Sequence, residues 1–468
     1  MTNNLQAIIL AAGRSSRFNT KNTKLSYKIC GQEMIAYPAK LLGQMKIPTT
    51  LIVGYQKEIV KETIEKHNLE ASFVEQTDQK GTGHALLLTK DLWSKENILV
   101  MNGDMPLITK EILENLIEHH SKTKATITLV SAYNTDPSLQ SYGRVLKENN
   151  KVEIIEAKHF KGDLNAPCFI NAGIYLIKKE FLEKHIKDLQ YNSLTGEMYI
   201  TDLIALASQK NYLVETINAQ FDLVRGVNTL KELWAAEQIK KSELINFWQE
   251  RGVYFSLAQS VHIDLDVTIG SETLIGMGAQ LLQGTRIGSR VNIGFGSVIT
   301  SSEIHDDVII HPCSVITKTK IESHAQIGPF AHIRNNSHIG ESSVIGNFVE
   351  ISKTEFGANS KAKHLTYIGN AKIGSNVNIG GGTIVCNYNG VTKNTTTIHD
   401  NASIGSNNCL VAPVEIGQEA ITGAGSVITE NVPDHALAVA RAQQVNKENY
   451  ALKLKEKYKK NDKIYSHG

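Results

Sequence analysis

The feature that most limits the possible folds of this chain is a six-residue spacing of apolar residues from Val261 to about Ile428. A period of six drifts around the 3.6-residue turn of an α-helix and is too long for an alternating hairpin strand. The series is Ile263, Ile269, Ile275, Leu281, Ile287, Ile293, Ile299, then Ile321, Ile327, Ile333, Ile339, Ile345, Ile351, then Ile373, Ile379, Val385, and finally Ile398, Ile404, Leu410, Ile416. Such a period predicts a parallel β-helix of about nine coils, each made of three strand-and-corner units.

The overall composition restricts the class of protein further. The chain has 468 residues, a net charge of +2 and 21% charged residues, so nothing points to nucleic acid as a partner. Its five cysteines are scattered and fit neither a disulfide framework nor a zinc site. No segment resembles a signal peptide or is apolar enough to cross a bilayer. We expect a reduced, cytoplasmic protein of two or three domains, without membrane insertion.

Residues 5–230 show alternating strand and helix patterns, with helical spacing at 57–67 and 109–120. The predicted strands are 6–11, 50–54, 72–75, 98–101, 126–131 and 170–177. This alternation predicts a doubly wound α/β domain with a mainly parallel sheet, which binds ligands at the carboxyl ends of its strands. We expect the α/β domain at 1–229, a linking helix at 230–251, and the β-helix domain with a C-terminal tail at 252–468.

Two loops that follow predicted strands are candidate nucleotide-binding segments. Small residues 10–13 leave the backbone open to a ligand, and Arg17 and Lys24 are suitable partners for phosphates. The polar, glycine-rich stretch 76–84 carries amide side chains, which both donate and accept hydrogen bonds and therefore suit the edge of a base. The alternatives are a tight turn with solvated bases and an ordinary loop.

Asp104 is a candidate metal ligand because it follows the apolar strand 98–101. A carboxylate there suits Mg²⁺ bound with substrate phosphates, since this ion often uses only one or two protein oxygens. The amide oxygen of Asn228 could complete such a site, although composition alone does not pair residues so far apart. The alternative for Asp104 is a helix cap or turn.

The β-helix pattern is irregular in two places that carry versatile polar side chains. Ile351 and Ile368 are 17 positions apart, one fewer than three repeats, and His364 lies between them. Val385 and Ile398 are 13 positions apart, one more than two repeats. Breaks in a repeat array often mark binding loops. A histidine there could act as a general base near neutral pH, or it could merely cap a corner.

The motifs of the chain, taken together, resemble one bacterial enzyme family over nearly its whole length. The motifs are 10–13 with Arg17 and Lys24, 81–84, 103–106, 142–144, 171–173 and 226–228, and in the array 364–367 and 387–390. This family joins an N-acetylglucosamine-1-phosphate uridyltransferase to a glucosamine-1-phosphate N-acetyltransferase. The resemblance implies a Rossmann-like nucleotidyltransferase domain, a left-handed parallel β-helix and a homotrimer.

For the first domain, the resemblance implies attack of N-acetylglucosamine 1-phosphate on UTP with loss of pyrophosphate. It implies that Asp104 and Asn228 hold Mg²⁺. The implied nucleotide- and sugar-binding residues are Leu10, Ala11, Ala12, Gly13, Arg17, Lys24, Gln76, Gly81, Thr82, Asn102, Gly103, Asp104, Gly143, Glu156, Asn171 and Asn228. The product, UDP-N-acetylglucosamine, implies a role in peptidoglycan and lipopolysaccharide synthesis.

For the second domain, the resemblance implies acetylation of glucosamine 1-phosphate by acetyl-CoA, with His364 as general base. The implied substrate-binding residues are Arg334, Ser352, Tyr367 and Asn378. The implied acetyl-CoA-binding residues are Gly381, Asn387, Tyr388, Ser406, Ala424 and Arg441.

Three places depart from the family pattern. Ser15 and Ser16 stand where the family usually has Gly-Thr, and Thr23 stands where it has proline. Ser352 stands where it has lysine, and Lys353, one position further on, would point to the other side of the strand. We expect a stiffer or displaced phosphate loop and weaker phosphate binding near Ser352.

Two alternatives remain open at this stage. One is a single-activity sugar-phosphate nucleotidyltransferase whose β-helix is regulatory, which Ser352 favours and His364 opposes. The other is a non-catalytic scaffold, which Ser15 and Ser16 permit and Asp104 opposes. The basic tail after Lys447 predicts a solvated, partly disordered end rather than a nucleic-acid site.

Overall fold

A computed structural model describes residues 4–135, 142–148, 151–157, 159–163, 166–193 and 195–465, with side chains up to 459. The chain divides into two compact units. Unit 1 comprises Met1–Glu250 with His262–Asp266, and unit 2 comprises Arg251–Val261 with Val267–Gly468. Within the described ranges, every helix is too short or too polar to span a membrane.

Unit 1 is an α/β domain built around one twisted sheet. Its strands are β1 Leu5–Ala11, β2 Lys28–Ile29, β3 Gln32–Glu33, β4 Thr49–Val53, β5 Ser72–Glu75, β6 Asn97–Asn102, β7 Ile127–Asn134, β8 Arg144–Glu148, β9 Lys151–Ile155, β10 Cys168–Lys178 and β11 Val214–Ala219. Its helices are α1 Ala36–Gln44, α2 Lys57–Lys66, α3 Thr82–Leu88, α4 Lys110–Thr123, α5 Lys179–His185, α6 Thr201–Gln209, α7 Phe221–Val224 and α8 Leu230–Gln249.

The main sheet has the strand order β11-β7-β10-β6-β1-β4-β5. The centre is parallel, and β10 runs antiparallel to both of its neighbours. The six predicted strands correspond to β1, β4, β5, β6, β7 and β10. Sequence patterns missed β8, β9, β11 and the small hairpin of β2 and β3.

The central strands bury side chains on both faces of the sheet. In β1, Ile9 joins one apolar cluster and its neighbour Ile8 joins the cluster on the other face. In β4, Leu51 and Ile52 divide in the same way, as the two-residue period of a strand requires. Because the strand interiors are filled with apolar residues, the polar groups able to bind a ligand are left to the strand ends and loops.

Unit 2 is a parallel β-helix with three flat faces, and its strands contribute to each face in turn. Face 1 contains Tyr254–Phe255, Leu274–Ile275, Asn292–Ile293, Ile309–Ile310, Gln326–Ile327, Val344–Asn347, Lys361–His364, Asn378–Ile379, Ser403–Ile404, Ile421–Thr422 and Leu437–Ala438. Face 2 contains Gln280–Leu282, Val298–Thr300, Val315–Thr317, His332–Arg334, Glu350–Ser352, Tyr367–Gly369, Ile384–Cys386, Cys409–Val411 and Val427–Ile428. Face 3 contains Thr268–Ile269, Arg286–Ile287, Glu303–Ile304, Lys320–Ile321, His338–Ile339, Glu355–Phe356, Ala371–Ile373, Thr396–Ile398 and Val414–Ile416.

The residues predicted to point inward do so. Ile275, Leu281 and Ile287, one from each face, are almost fully buried. Face 1 alone has eleven strands, so the β-helix begins earlier and ends later than the pattern predicted. The strand His262–Ile263 lies in the short segment that belongs to unit 1.

From Ile275 onward, changes in repeat length are confined to one corner of the β-helix. We call the corner between faces 1 and 2 the first corner, and that between faces 2 and 3 the second corner. The second corner is shortened to five positions at Ile351–Phe356, as it is at three other coils. It also carries a long loop, so that Ile373 pairs with Ile398, 25 positions on, whereas Phe356 pairs with Ile373, 17 positions on.

This pattern refines the prediction that His364 lies at a break. The shortened corner precedes it at Ile351–Phe356, and His364 ends a face-1 strand at a first corner of ordinary length. The tail was predicted to be solvated and partly disordered, and the structure differs in its order. Residues Tyr450–Tyr465 form a helix, α9, whose side chains up to Lys459 are exposed.

A buried carboxylate fixes the β2–β3 hairpin to the end of α2. The side chain of Glu33 is only 9% exposed, and its oxygens lie 2.7 Å from Lys66 Nζ and 2.7 Å from His67 Nε2. Burial opposes ionisation of Glu33, but the hydrogen bonds from Lys66 and His67 outweigh it and hold the pKa of this carboxyl at about 2. Ionised Glu33 therefore stabilises the folded unit.

We predict that Glu33→Gln lowers the free energy of unfolding of unit 1 by about 1–2 kcal/mol at pH 7, allowing for solvent screening. Because the pKa lies below the ordinary value of 4.5, this contribution is present above that pH and disappears as pH falls from 4.5 towards 2. All three tryptophans lie in unit 1, so their fluorescence during denaturant unfolding measures the effect. Glu62→Gln, an exposed change on α2, is the control. An equal loss in both variants would contradict the prediction.

Candidate functional sites

Unit 1 contains a cavity of about 980 Å³ at the carboxyl ends of β1 and β6. Fifteen of the sixteen binding residues predicted for this domain line it, namely Leu10, Ala11, Ala12, Gly13, Arg17, Lys24, Gln76, Gly81, Thr82, Asn102, Asp104, Gly143, Glu156, Asn171 and Asn228. The exception is Gly103, which does not line the cavity. It lies behind the wall, where a Cβ atom would come within 2.7 Å of Ile35 and where its N–H donates to Leu10 O.

Charged and amide groups meet at one end of this cavity. The ammonium of Lys24 pairs with Asp104 and lies 2.8 Å from Asn228 Oδ1. The guanidinium of Arg17 donates to the same Asn228 oxygen at 2.9 Å. Two cations thus converge on one carboxylate and one amide, an arrangement suited to a ligand with several negative charges.

Backbone contacts explain how two distant segments meet here. The N–H of Val227 donates to Asp104 O at 2.9 Å, which places the segment before α8 beside the end of β6. The N–H of Asn228 donates to Glu232 at 2.7 Å, and Thr229 accepts from the N–H of Glu232. Thr229 thus caps the start of α8, and Glu232 fixes the backbone of Asn228.

The donor set fits the predicted Mg²⁺. Asp104 Oδ1 is buried, and among the described residues no group donates a hydrogen bond to it. No cluster of three or more His, Cys, Asp or Glu side chains in the described ranges is arranged to hold a metal. A carboxylate and an amide oxygen suit an ion that takes its remaining ligands from water and substrate phosphates.

The other end of the cavity is arranged for neutral hydrogen-bonding groups. Gln76 Nε2 donates to Gly81 O at 3.0 Å, which keeps this amide side chain at the cavity wall. Gly81 has φ +97°, and a Cβ there would come within 2.4 Å of Met198 O. Only glycine therefore allows this close contact between the two loops.

Glu156 and Asn171 also line the cavity. Asn171 Nδ2 donates to Tyr175 Oη at 2.6 Å, and its Oδ1 accepts from the N–H of Gly173 at 3.0 Å. Burial raises the pKa of Glu156, whose Oε1 accepts from Thr201 Oγ1 at 3.0 Å. Sequence analysis missed Thr201 because no motif marks it and α6 brings it to the cavity from far along the chain.

In unit 2, five of the predicted residues follow the first corner through successive coils. They are His364, Gly381, Ser406, Ala424 and Arg441. Hydrogen bonds between coils link this column. Gly382 N–H donates to His364 O at 3.3 Å, Asn407 N–H to Gly381 O at 2.8 Å, and Gly425 N–H to Ser406 O at 2.8 Å. Arg441 Nη1 completes the column by donating to Ala424 O at 2.8 Å.

Asn347, which sequence analysis missed, orients His364. The two residues are register partners on neighbouring coils, and Asn347 Oδ1 lies 3.1 Å from His364 Nδ1. Because a carbonyl oxygen only accepts, this contact places the ring proton on Nδ1 and leaves Nε2 free to take one. Gly381 lies against His364, and a Cβ there would stand 3.2 Å from the Cβ of the histidine.

Face 2 and the second corner hold a second group of predicted residues. Arg334 is paired with Glu350 at 2.7 Å. A Cβ at Gly369 would come within 2.4 Å of Tyr367 Oη and 2.8 Å of Asn387 Nδ2, so this glycine lets the two side chains converge. The amide of Asn387 donates to Asn370 Oδ1 at 2.8 Å. Gly369, Glu350 and Asn370 were not predicted.

Three predicted residues differ from this arrangement. Ser352 is the register partner of Arg334, but it is buried and its Oγ accepts from Asn335 at 2.9 Å. Tyr388 is exposed in the long second-corner loop, with its hydroxyl on Gly390 O. Asn378 lies on face 1, apart from the face-2 group with which it was predicted.

Family models match both units. The MobA-like NTP transferase domain matches residues 7–158. The bacterial transferase hexapeptide (six repeats) matches 266–301 and 318–353, and the hexapeptide repeat of succinyl-transferase matches 395–430.

Curated relatives match along nearly the whole chain. Bifunctional protein GlmU from Exiguobacterium sibiricum is 37% identical over 450 residues, covering 95% of this chain and 99% of the relative. The protein of the same name from Koribacter versatilis is 38% identical over 461 residues, with 97% of each covered. That from Thermodesulfovibrio yellowstonii is 39% identical over 449 residues, covering 94% and 98%.

A Rossmann-like nucleotidyltransferase domain followed by hexapeptide repeats, as in a left-handed parallel β-helix, defines a two-domain transferase. The chain belongs to the bifunctional GlmU family. The predicted pair of activities, uridyltransferase and acetyltransferase for UDP-N-acetylglucosamine synthesis, is confirmed at the level of the family. The single-activity and scaffold alternatives are not favoured.

Proposed function

We propose that the cavity of unit 1 carries out uridylyl transfer. An oxygen of N-acetylglucosamine 1-phosphate attacks the α-phosphorus of UTP, and the bond to pyrophosphate breaks. Arg17 and Lys24 neutralise the phosphates, the loop with Gln76 and Gly81 holds the uracil, and Glu156 and Asn171 hold the sugar. The convergence of both cations with Asp104 and Asn228 is the observation that carries this proposal.

We propose that Asp104 and Asn228 hold Mg²⁺ together with the substrate phosphates. When bound, the ion would offset the negative charge that gathers on the phosphates during the transfer. The unpartnered, buried oxygen of Asp104 supports this assignment.

We propose that the first corner of unit 2 binds acetyl-CoA and that the amine of glucosamine 1-phosphate attacks its thioester beside His364. Nε2 of His364 takes the proton lost by the amine, and the CoA thiolate leaves and is protonated. Gly381, Ser406, Ala424 and Arg441 line the coenzyme, together with Asn387 and Tyr388. Arg334 and Tyr367 on face 2 and Asn378 on face 1 contact the sugar phosphate, and Ser352, which is buried, is the register partner of Arg334.

The two reactions follow in a fixed order in this proposal. Acetylation in unit 2 produces N-acetylglucosamine 1-phosphate, which is the substrate of unit 1. We further propose that the chain works in the cytoplasm. We also propose that it forms a homotrimer, because flat β-helix faces can be buried against copies of the chain by cyclic symmetry.

Two variants with two readouts test the assignment of the reactions to the units. The protein receives glucosamine 1-phosphate, acetyl-CoA, UTP and Mg²⁺, and free thiol and pyrophosphate are each measured. His364→Ala should reduce thiol release by about 10²–10⁴-fold and leave pyrophosphate formation from the acetylated sugar phosphate unchanged. Asp104→Ala should abolish pyrophosphate formation and leave thiol release unchanged. Near wild-type thiol release in His364→Ala, or pyrophosphate formation in Asp104→Ala, would refute the corresponding role.

Asn347 should affect the acetyl-transfer rate through the ring of His364. We predict that Asn347→Ala lowers kcat for thiol release about tenfold with little change in KM, since an accepting group on Nδ1–H is lost. Asn347→Asp keeps an acceptor and should retain most of the rate. Asn292→Ala, an exposed asparagine earlier on face 1, is the control. A change in KM alone would contradict the positioning role.

Because the chain has Ser352 where the family has lysine, Arg334 is the cation on this part of face 2. The guanidinium of Arg334 is already paired with Glu350. We predict that Ser352→Lys lowers KM for glucosamine 1-phosphate about tenfold, because a second cation adds a charge-assisted hydrogen bond. Ser352→Met matches the length of the new side chain without its charge and should not lower KM. An unchanged KM in the lysine variant would show that phosphate binds elsewhere.

A further inference from the structure

Two side chains hold the consecutive backbone amides that lead into Lys24. The N–H of Thr23 donates to Gln56 Oε1. The N–H of Lys24 donates to Ser15 Oγ at 3.1 Å. Lys24 begins a short 3₁₀ helix, Lys24–Ser26, and these amides lie at its start. The direction in which Lys24 leaves the backbone therefore depends on both contacts.

The residues that supply the two acceptors have an unfavourable backbone conformation. Ser15 has φ 56° and Gln56 has φ 53°, in the left-handed region that favours glycine. Gln56 Nε2 also donates to Lys21 O at 2.9 Å, and Tyr55 Oη donates to the same oxygen at 3.0 Å. Gln56 therefore contacts both Lys21 and Thr23, so one side chain holds this short segment at two points.

These contacts explain the two departures from the family pattern in this loop. Thr23 is buried, with φ −59° and ψ 138°, values that proline adopts without strain. A proline there would set the same bend through its ring and would have no N–H for Gln56. A glycine at position 15 would take its conformation freely but would offer no acceptor to Lys24. Serine at 15 and threonine at 23 thus act together with Gln56.

We infer that Ser15 and Gln56 are positioning residues that direct Lys24 towards Asp104 and Asn228. They achieve by hydrogen bonds what a glycine and a proline achieve by backbone conformation. The inference rests on the proposed role of Lys24 in binding the phosphates of UTP. It adds Gln56, in the loop between β4 and α2, to the uridyltransferase site.

A double-mutant cycle between positions 23 and 56 tests the inference. Gln56→Ala should lower kcat/KM for UTP in pyrophosphate release about tenfold, because the N–H of Thr23 is left without its acceptor. Adding Thr23→Pro removes that N–H, so Thr23→Pro with Gln56→Ala should return to within about threefold of wild type. Gln56→Glu keeps an acceptor oxygen and should retain most of the activity. Ser15→Ala should reduce kcat/KM in the same direction.

Two controls separate positioning from general damage. Asn211→Ala changes another residue with positive φ, on an exposed turn of unit 1, and should leave both activities unchanged. Thiol release should be unchanged in every loop variant. The inference would be overturned if Gln56→Ala had the same kcat/KM for UTP as wild type. It would also be overturned if the loss of kcat/KM in Gln56→Ala persisted when Thr23→Pro was added.

Hydrogen exchange over residues 15–26 distinguishes failure of this inference from failure of the proposed function. Gln56→Ala should exchange faster than wild type in this segment, and Thr23→Pro should restore slow exchange. If wild type makes no pyrophosphate, the proposed function fails, while exchange still reports on the contacts of Ser15 and Gln56 with the segment. If exchange in this segment is the same in wild type and Gln56→Ala, Gln56 does not hold the segment and the inference fails.

Discussion

The closure of each β-helix coil around three inward side chains is the constraint on which the rest of unit 2 depends. Each face contributes one apolar residue to the interior, as Ile275, Leu281 and Ile287 show for one coil. Most backbone hydrogen bonds then run between neighbouring coils, and a few close corners within a coil. Buried hydroxyl groups such as those of Thr273, Ser297 and Ser360 donate to backbone carbonyls of the next coil, so the chemistry is left to the corners and outer faces. At these positions, the spacing of the functional side chains is set by the register between neighbouring coils.

Unit 1 also keeps its polar functional groups outside an apolar interior, but by a different arrangement. Its central strands are buried on both sides, so the polar groups are concentrated beyond the carboxyl ends of β1 and β6. The site there depends on long-range contacts, since Asn228 reaches Asp104 through the backbone pair of Val227 and Asp104. One unit thus gathers its residues by folding distant segments together, and the other by repeating a short one.

Much of this could be predicted from the sequence, because period and motif order carry the information. The six-residue period determined the inward residues, and fifteen of the sixteen residues implied by the family resemblance line the unit 1 cavity. The pairing of Asn347 with His364 could not be predicted in the same way. The five-residue corner at Ile351–Phe356 lies between them and shortens the coil from 18 positions to 17. Contacts such as the hydrogen bond between Thr23 and Gln56 depend on loop conformations, which the periodicity of the sequence does not predict.

The confinement of length changes to the second corner leaves the first corner uniform. Every step from a face-1 inward residue to its face-2 successor, from Ile275 onward, is six positions. The column from His364 through Gly381 and Ser406 to Ala424 therefore rises by the same amount at each of its three coil steps, about 4.8 Å, and spans about 14 Å. Arg441 follows the last face-1 strand and extends the column through its hydrogen bond to Ala424 O. A ligand that contacted the whole column would therefore have to be long and extended.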